Sequence, residues 1–553
     1  MVQRRHCLAL TVICLFLSLS AVGHAKDWPF GRGDAASSGF TSEGVQMPLV
    51  LSWDYNTSRM GRNTSAPIVA GDVVYFCAGD RVMALDAQSG VLKWKFPADE
   101  PLSGAIKAAP AVSKDTLYFG ATDGNLYAVN INDGVLRWTY PTRGSIRSAP
   151  IISDNVVYFG SDDNNLYAVN AETGEPAWRG PFATRDDVAA SPVVSGGYVV
   201  FVSMDTIVYG TNSLSGAMRW QYRLPQVYAR SAPVVAGDSV YVAAGNALHT
   251  LSLKSGRFRG SIPFSSEIAA GPTIANDVTS ADSGAVGAGS TIYIITKNNR
   301  LYAITPAGKS KWSQYVNLPY ACSSPPTVAG DTVVVGSERG SVSAYSAATG
   351  KLKWQYTILP AQLTASTLYT AVTAPPVVAN KRLYLVTDDG SLHCFDSDMP
   401  DDTAPEAFDF IPRRATAMSG QPPIKISAVL FDLGCGINDS SIQLKVDDEV
   451  VPHTFDASKY TVSCETTDRK EDGRHNITLS VEDWRGNKHT DTWSFIVDNK
   501  LRPPVTAKPA APPKTPRPTY KNNPLPPPKP PAPSSSGEDV SPPEPIVEAP
   551  AGT

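Results

Sequence analysis

The chain has 553 residues, of which 42% are hydrophobic and 18% charged, with a formal net charge of −4. This is the make-up of a globular protein long enough for more than one domain. The near-balance of charge excludes a generally basic, nucleic-acid-binding surface.

In chain order, Arg4, Arg5 and His6 precede the apolar run Leu8 to Leu19, and small residues follow at Gly23 and Ala25. The pattern predicts a secretory signal peptide over 1–25, cleaved after Ala25, whose apolar run is too short to span a membrane. Cys14 follows Val12 and Ile13, where a lipoprotein signal needs small residues. The mature chain is therefore expected to be soluble and exported, to the periplasm or cell surface, with no transmembrane segment. Cleavage leaves Cys77, Cys322, Cys394, Cys435 and Cys464. None forms a CxxC pair, and an odd count in an oxidising compartment leaves at least one thiol unpaired unless chains cross-link. No set of His, Cys and carboxylates has metal-ligand spacing.

The next signal is a repeat. Units anchored on Pro67, Pro110, Pro150, Pro192, Pro233, Pro272, Pro326 and Pro376 follow one another at about 41 residues, with two longer gaps. Each unit contains four short alternating apolar runs parted by Gly/Asp/Asn turns; "TLYFGA" and "NLYAVN" flanking "TDG" form a hairpin pattern. Four strands per period predict a β-propeller blade. The eighth unit stops after its third strand. The stretch "VLSWDYN" (50–56) aligns with the fourth strand of the other units, so it is expected to complete the eighth blade and close the ring. Trp53 then takes the position of Trp94, Trp138, Trp178, Trp220, Trp312 and Trp354. Each ring at this position buries on the order of 150–250 Å², so these residues read as staples between blades. The fifth unit has Gly260 where Trp is expected, which predicts a looser contact there.

The tags "VMALDAQSGVLKW" (82–94), "LYAVNAETGEPAW" (166–178) and "VSAYSAATGKLKW" (342–354) resemble the tryptophan-docking repeat of the pyrroloquinoline quinone (PQQ) propellers. That superfamily holds both quinoprotein dehydrogenases and the non-catalytic outer-membrane assembly lipoprotein BamB. The stretch "DWPFGRGDAASSGF" (27–40) resembles the segment that precedes the first repeat in many secreted bacterial members. The resemblance covers roughly 27–397 and implies an all-β, eight-bladed propeller over 26–400.

A dehydrogenase resemblance implies PQQ, a Ca²⁺ ion held by carboxylate and amide oxygens, a catalytic Asp and, in many members, adjacent cysteines. No two cysteines are adjacent here, and the repeats leave little inserted chain to build a deep pocket. The Asp residues of "TDG" (122–124), "SDD" (161–163) and "TDDG" (387–390) stand where hairpin turns favour Asp. The expectation is a non-enzyme with no cofactor, catalytic residue or metal; PQQ and Ca²⁺ belong to the alternative.

One constellation points to binding. Three residues before an anchor proline stand Lys107, Arg147 and Arg230, with Thr64, Ala189, Ala269, Ser323 and Thr373 in the other units. Tyr228, Tyr320 and Tyr369 occupy the same class of connection, on one face of the propeller. Basic and aromatic side chains on an exposed ring suit an acidic partner surface or an anionic ligand; solvated cations with packed tyrosines are the other reading.

Beyond about Thr403 the period ends. The motifs "DLGCGIN" (432–438), "DGRHNITLSVEDWRGN" (472–487) and "WSFIVDN" (493–499) resemble bacterial immunoglobulin-like modules, implying a β-sandwich over 403–499. Cys435 and Cys464 either bridge within it or stand as separate thiols. Residues 500–553, with "PLPPPKPPAP" (524–533), are too poor in large apolar residues to bury a core and are expected to form a disordered, Pro-rich tail. The function expected from all this is a monomeric scaffold binding other envelope proteins. A periplasmic PQQ/Ca²⁺-dependent dehydrogenase and a surface ligand-binding or adhesion protein are the alternatives.

Overall fold

The computed structural model describes residues 27–57, 65–225, 232–275, 290–359, 370–457 and 459–501. The expected signal peptide and the tail from 502 on, together with Arg230, Tyr228 and Tyr369, lie outside the described residues.

Among the described residues every regular element is a strand. Eight antiparallel sheets follow one another over 68–96, 111–141, 151–183, 193–223, 234–263, 273–317, 327–357 and 377–396. Their second and third strands are almost wholly buried, as in Val73–Ala78 and Asn125–Asn130, whereas the fourth strands are mostly exposed or half-buried, with the tag tryptophan buried at Trp94. The Val/Ile/Tyr/Phe runs thus sit where sheet packs on sheet, and charge is kept to the outer edge.

The eighth sheet takes its outer strand from the other end of the chain. Val50–Asn56 pairs antiparallel with Ser391–Asp396, setting Trp53 opposite Cys394, with a bulge between Leu51 and Trp53. The second sheet carries the same bulge between Leu136 and Trp138. First strands of successive sheets lie side by side. A single apolar cluster joins Val377, Tyr384 and Leu392 of the eighth sheet to Val69, Phe76 and Leu85 of the first.

The tag tryptophans do their packing between sheets. The Nε1 groups of Trp94, Trp138, Trp178, Trp220 and Trp312 each donate to a main-chain carbonyl of the following sheet: Ile131, Ala171, Ser213, Leu253 and Ala347. The tag glycine of that next sheet lies flat on the ring. A Cβ on Gly134, at φ +71°, would stand 2.7 Å from Trp94 Cε3. Gly90 covers Trp53 in the same way, at 2.6 Å. At Gly260 no ring exists; Gly308 of the sixth sheet meets Ile262 instead, at 3.3 Å.

Residues 28–41 form a strap across the first strands. The strap bonds through its main chain to Val69, Val112, Val194, Val235, Ile274 and Val328, one residue in each of six sheets. It ends as the short strand Phe40–Thr41, parallel to Thr327–Ala329. Glu43 then caps the turn of the eighth sheet through the N–H groups of Asn380 and Lys381.

Two further sheets follow, one built on Ile424–Phe431 and Thr461–Thr466, the other on Ile437–Val446, Gly473–Asp483 and Lys488–Val497. Alternate residues point inward to a shared core that includes Ile426, Leu444, Leu479 and Trp493. Cys435 and Cys464 are both buried and unbonded, so the bridge between them is not made. The reason is placement: Cys464 packs in this core, whereas Cys435 sits in the loop that meets the seventh sheet.

Candidate functional site

The connections that lead into the first strands surround a cavity of about 850 Å³. Its wall comprises the positions aligned by the repeat: Lys107, Arg147, Ala189, Ala269, Ser323 and Thr373. Most neighbouring wall residues are Ala, Ser, Gly or Pro. Small residues at the end of the connection let eight chains converge without filling the middle. The floor is the strap, through Gly31, Arg32 and Ser37. Sequence reasoning placed the wall by register; it missed the floor, because "DWPFGRGD" carries no strand pattern.

The cations differ in state. Arg147 was expected on an exposed ring; its side chain is 37% exposed, but its guanidinium already lies against Asp162 at 2.6 Å and Asp187 at 3.1 Å. The Asp162 contact, ahead of burial, holds its pKa above the usual value. Lys107 lines the cavity and is engaged as well. Tyr320 is not among the cavity-lining residues; the Arg339 guanidinium lies over its ring at 5.3 Å.

Arg32 has no carboxylate partner among the described residues. Its Nη2 donates to the Pro272 carbonyl at 2.7 Å and to Thr273 Oγ1 at 3.0 Å, while its Nε is buried without a partner. Burial lowers its pKa to about 10, against a smaller opposing effect of Asp34. Asp34 is itself occupied by Ala36 N–H, Ser38 N–H and Ser38 Oγ.

The turn aspartates are spent locally. Asp123, Asp163 and Asp205 each accept a hydroxyl from the tyrosine four residues on, Tyr127, Tyr167 and Tyr209, at 2.7 Å. Asp389 accepts Thr387 Oγ1 and Ser391 N–H.

A second acidic group lies where the last two sheets meet the propeller sheets. Asp401, Asp432 and Cys435 are buried within 4.8 Å of one another. Asp401 accepts Cys435 N–H at 2.7 Å and Asp432 accepts Gly436 N–H at 2.6 Å, so both carboxylates brace the "GCG" loop.

A model of the family described as outer membrane protein assembly factor BamB matches residues 51–158, 142–321 and 230–403. The chain belongs to this family of PQQ-like β-propellers. It is 31% identical over 126 residues to the outer membrane protein assembly factor BamB of Burkholderia pseudomallei, covering 23% of this chain and 29% of that one. It is also 32% identical over 103 residues to the quinohemoprotein alcohol dehydrogenase ADH-IIG of Pseudomonas putida, 17% of this chain and 14% of that one. The matches thus span less than a third of these relatives. Among solved structures, BamB from Moraxella catarrhalis superposes with a TM-score of 0.50 at 15% identity, over 63% of this chain and 99% of that one. The Pseudomonas putida enzyme gives 0.54 at 15%, over 69% and 83%. At these identities the superpositions speak for the fold alone. Family members therefore include both an assembly factor and dehydrogenases.

The dehydrogenase relatives raise the question of a quinone and its Ca²⁺. A tricyclic quinone asks for a flat aromatic face, and Ca²⁺ for six to eight oxygens. No lining residue among those described is aromatic, and the acidic ones are Glu338 and Asp388. Asp388 is already bound to Thr370 Oγ1 and the Ala371 N–H. The described lining does not fit that cofactor. Among the described residues no helix is long and apolar enough to cross a membrane.

Proposed function

We propose that the protein is a non-catalytic, exported scaffold of the bacterial cell envelope, binding other envelope proteins through the face on which the cavity opens. In this reading residues 26–400 are an eight-bladed propeller closed by Val50–Asn56. Residues 403–499 are an immunoglobulin-like module, and 500–553 a Pro-rich tail. The observation that carries it is the ring itself. The described connections deliver small or polar residues to one open mouth, with Lys107 and Arg147 on its wall and no aromatic cradle among the described residues. Such a mouth can receive a protruding surface but lacks chemistry for turnover.

The dehydrogenase reading is favoured by the Pseudomonas putida relative. Titrating the mature protein with PQQ and Ca²⁺, read by Trp quenching and by dye-linked alcohol oxidation, separates the two. The scaffold reading expects no turnover; one-to-one binding with turnover overturns it. Affinity capture from envelope extract should then retain a defined partner that a Lys107/Arg147/Arg230 triple alanine loses.

A further inference from the structure

We infer that the cavity floor is a receptor for a carboxylate, with Arg32 as its anchor. Arg32 is half-buried, and a guanidinium drawn partly out of water favours acceptors and a counter-charge that answer it. Around Arg32 the answer is incomplete. Two neutral oxygens, of Pro272 and Thr273, occupy Nη2 alone, Nε is buried with no acceptor, and no carboxylate among the described residues lies within ion-pair distance. Asp34, two residues on, is turned into its own loop, where three donors hold it. The other arginine of the wall, Arg147, shows the contrast in charge: its Nε too lacks an aligned hydrogen bond, but Asp162 lies 2.6 Å from that atom and Asp187 3.1 Å from Nη2. Of the three described cations lining the cavity, Arg147 is paired and Lys107 engaged from within the chain, and Arg32 is left for something that enters.

The placement suits an entering group. Arg32 stands on a strap whose main chain is bonded to six sheets, so the guanidinium is held in position before any ligand arrives. Gly39, at φ +69°, leaves it room, since a Cβ there would stand 2.7 Å from Nη2. Walls of alanine and serine above it offer little competition for a hydrogen-bonding anion. A volume of about 850 Å³ admits either a small polycarboxylate or the tip of a polypeptide loop. A carboxylate is the chemistry a guanidinium fork receives best, through charge-assisted hydrogen bonds. The site does not depend on the scaffold reading, because the unanswered cation belongs to the chain whatever protein docks at the mouth.

The test is calorimetric titration of the mature protein with two probes, citrate and the blocked peptide acetyl-Gly-Asp-Gly-amide. One-site binding of either supports the receptor; citrate alone identifies a free small molecule as the source, the peptide a protein side chain. Arg32→Gln should weaken binding about tenfold or more, the worth of one charge-assisted contact. Where Arg32→Gln fails to fold, Ser323→Glu serves: Ser323 is exposed and lines the cavity, and its new carboxylate should repel the probes to the same extent. Absence of millimolar binding by both probes, or binding that the folded variants leave unchanged, overturns the inference. PQQ carries carboxylates of its own, so PQQ binding without turnover that Arg32→Gln weakens supports the receptor, whereas turnover overturns the scaffold reading alone.

Discussion

Trp354 Nε1 donates to the carbonyl of Cys435 at 2.8 Å, across a sequence separation of 81 residues. Of its six counterparts, five donate to the next propeller sheet, and Trp53 Nε1 finds no acceptor among the described residues. By register the acceptor for Trp354 would be Ser397, but the eighth unit lacks the Thr/Ser-Gly tag that shapes that turn. The "GCG" loop of the following module takes over. Gly436, at φ +86°, lies against Tyr356, where a Cβ would stand 3.0 Å from its ring. Trp484 Nε1 and Tyr460 Oη add bonds to the carbonyls of Gln355 and Thr357, at 3.0 and 2.7 Å. The module is joined to the propeller sheets by the device that joins those sheets to one another.

Trp354→Phe removes the donor and leaves a buried carbonyl unanswered, with both residues 0% exposed. The expected loss is about 1–3 kcal/mol, measured by urea unfolding. Limited proteolysis should also cut sooner between 396 and 435 than in wild type.

Gly134→Ala and Gly71→Ala form a matched pair. Both glycines have positive φ, +71° and +57°, but only at Gly134 would the new Cβ strike a ring, that of Trp94. Gly71→Ala should cost about 1–2 kcal/mol for the backbone alone. Gly134→Ala should cost about 1–3 kcal/mol more, by overpacking. Equal midpoints for the two variants would contradict the docking role of the ring.

Burial, helped by Asp401 and Asp483, raises Asp432 to about 6 from its ordinary 3.8. The folded state therefore holds this proton more tightly than the unfolded chain. Its contribution to stability is favourable at low pH and falls away as pH rises between roughly 4 and 6. Asp432→Asn keeps an acceptor for Gly436 N–H and removes the charge. It should be more stable than wild type at pH 7, with the advantage vanishing near pH 4, as melting across that range will show.

Every cysteine among the described residues is buried and unbonded. Burial pushes the thiols of Cys77 and Cys322 up to about 12. Ellman's reagent should find no reactive thiol in the native mature protein and five in denaturant without reductant; three would restore a disulfide.

Much of the packing was legible residue by residue. The tag spacing located Trp94, Trp138, Trp178, Trp220, Trp312 and Trp354, and the same register made "VLSWDYN" the outer strand of the last unit, where the structure sets Trp53 opposite Cys394. It also located the cavity wall, since residues at a fixed offset from an anchor proline share one height in the ring. The state of Arg147 was not legible. Asp162 and Asp187 lie 15 and 40 residues away and read as ordinary turn and loop acids. The floor at Arg32 and the acceptor at Cys435 were invisible for a different reason: both depend on main-chain groups, which every residue carries alike.

The sequence by itself determined the strand-rich class, the repeat, the register of the outer tryptophans and the positions that line the cavity. These follow from alternation and spacing, which are local and recur in each unit. Tertiary structure decided which cations are neutralised, where the strap runs, and which carbonyl receives Trp354. Each of those depends on two groups far apart in the chain meeting at hydrogen-bond distance, and no period in the sequence encodes that meeting.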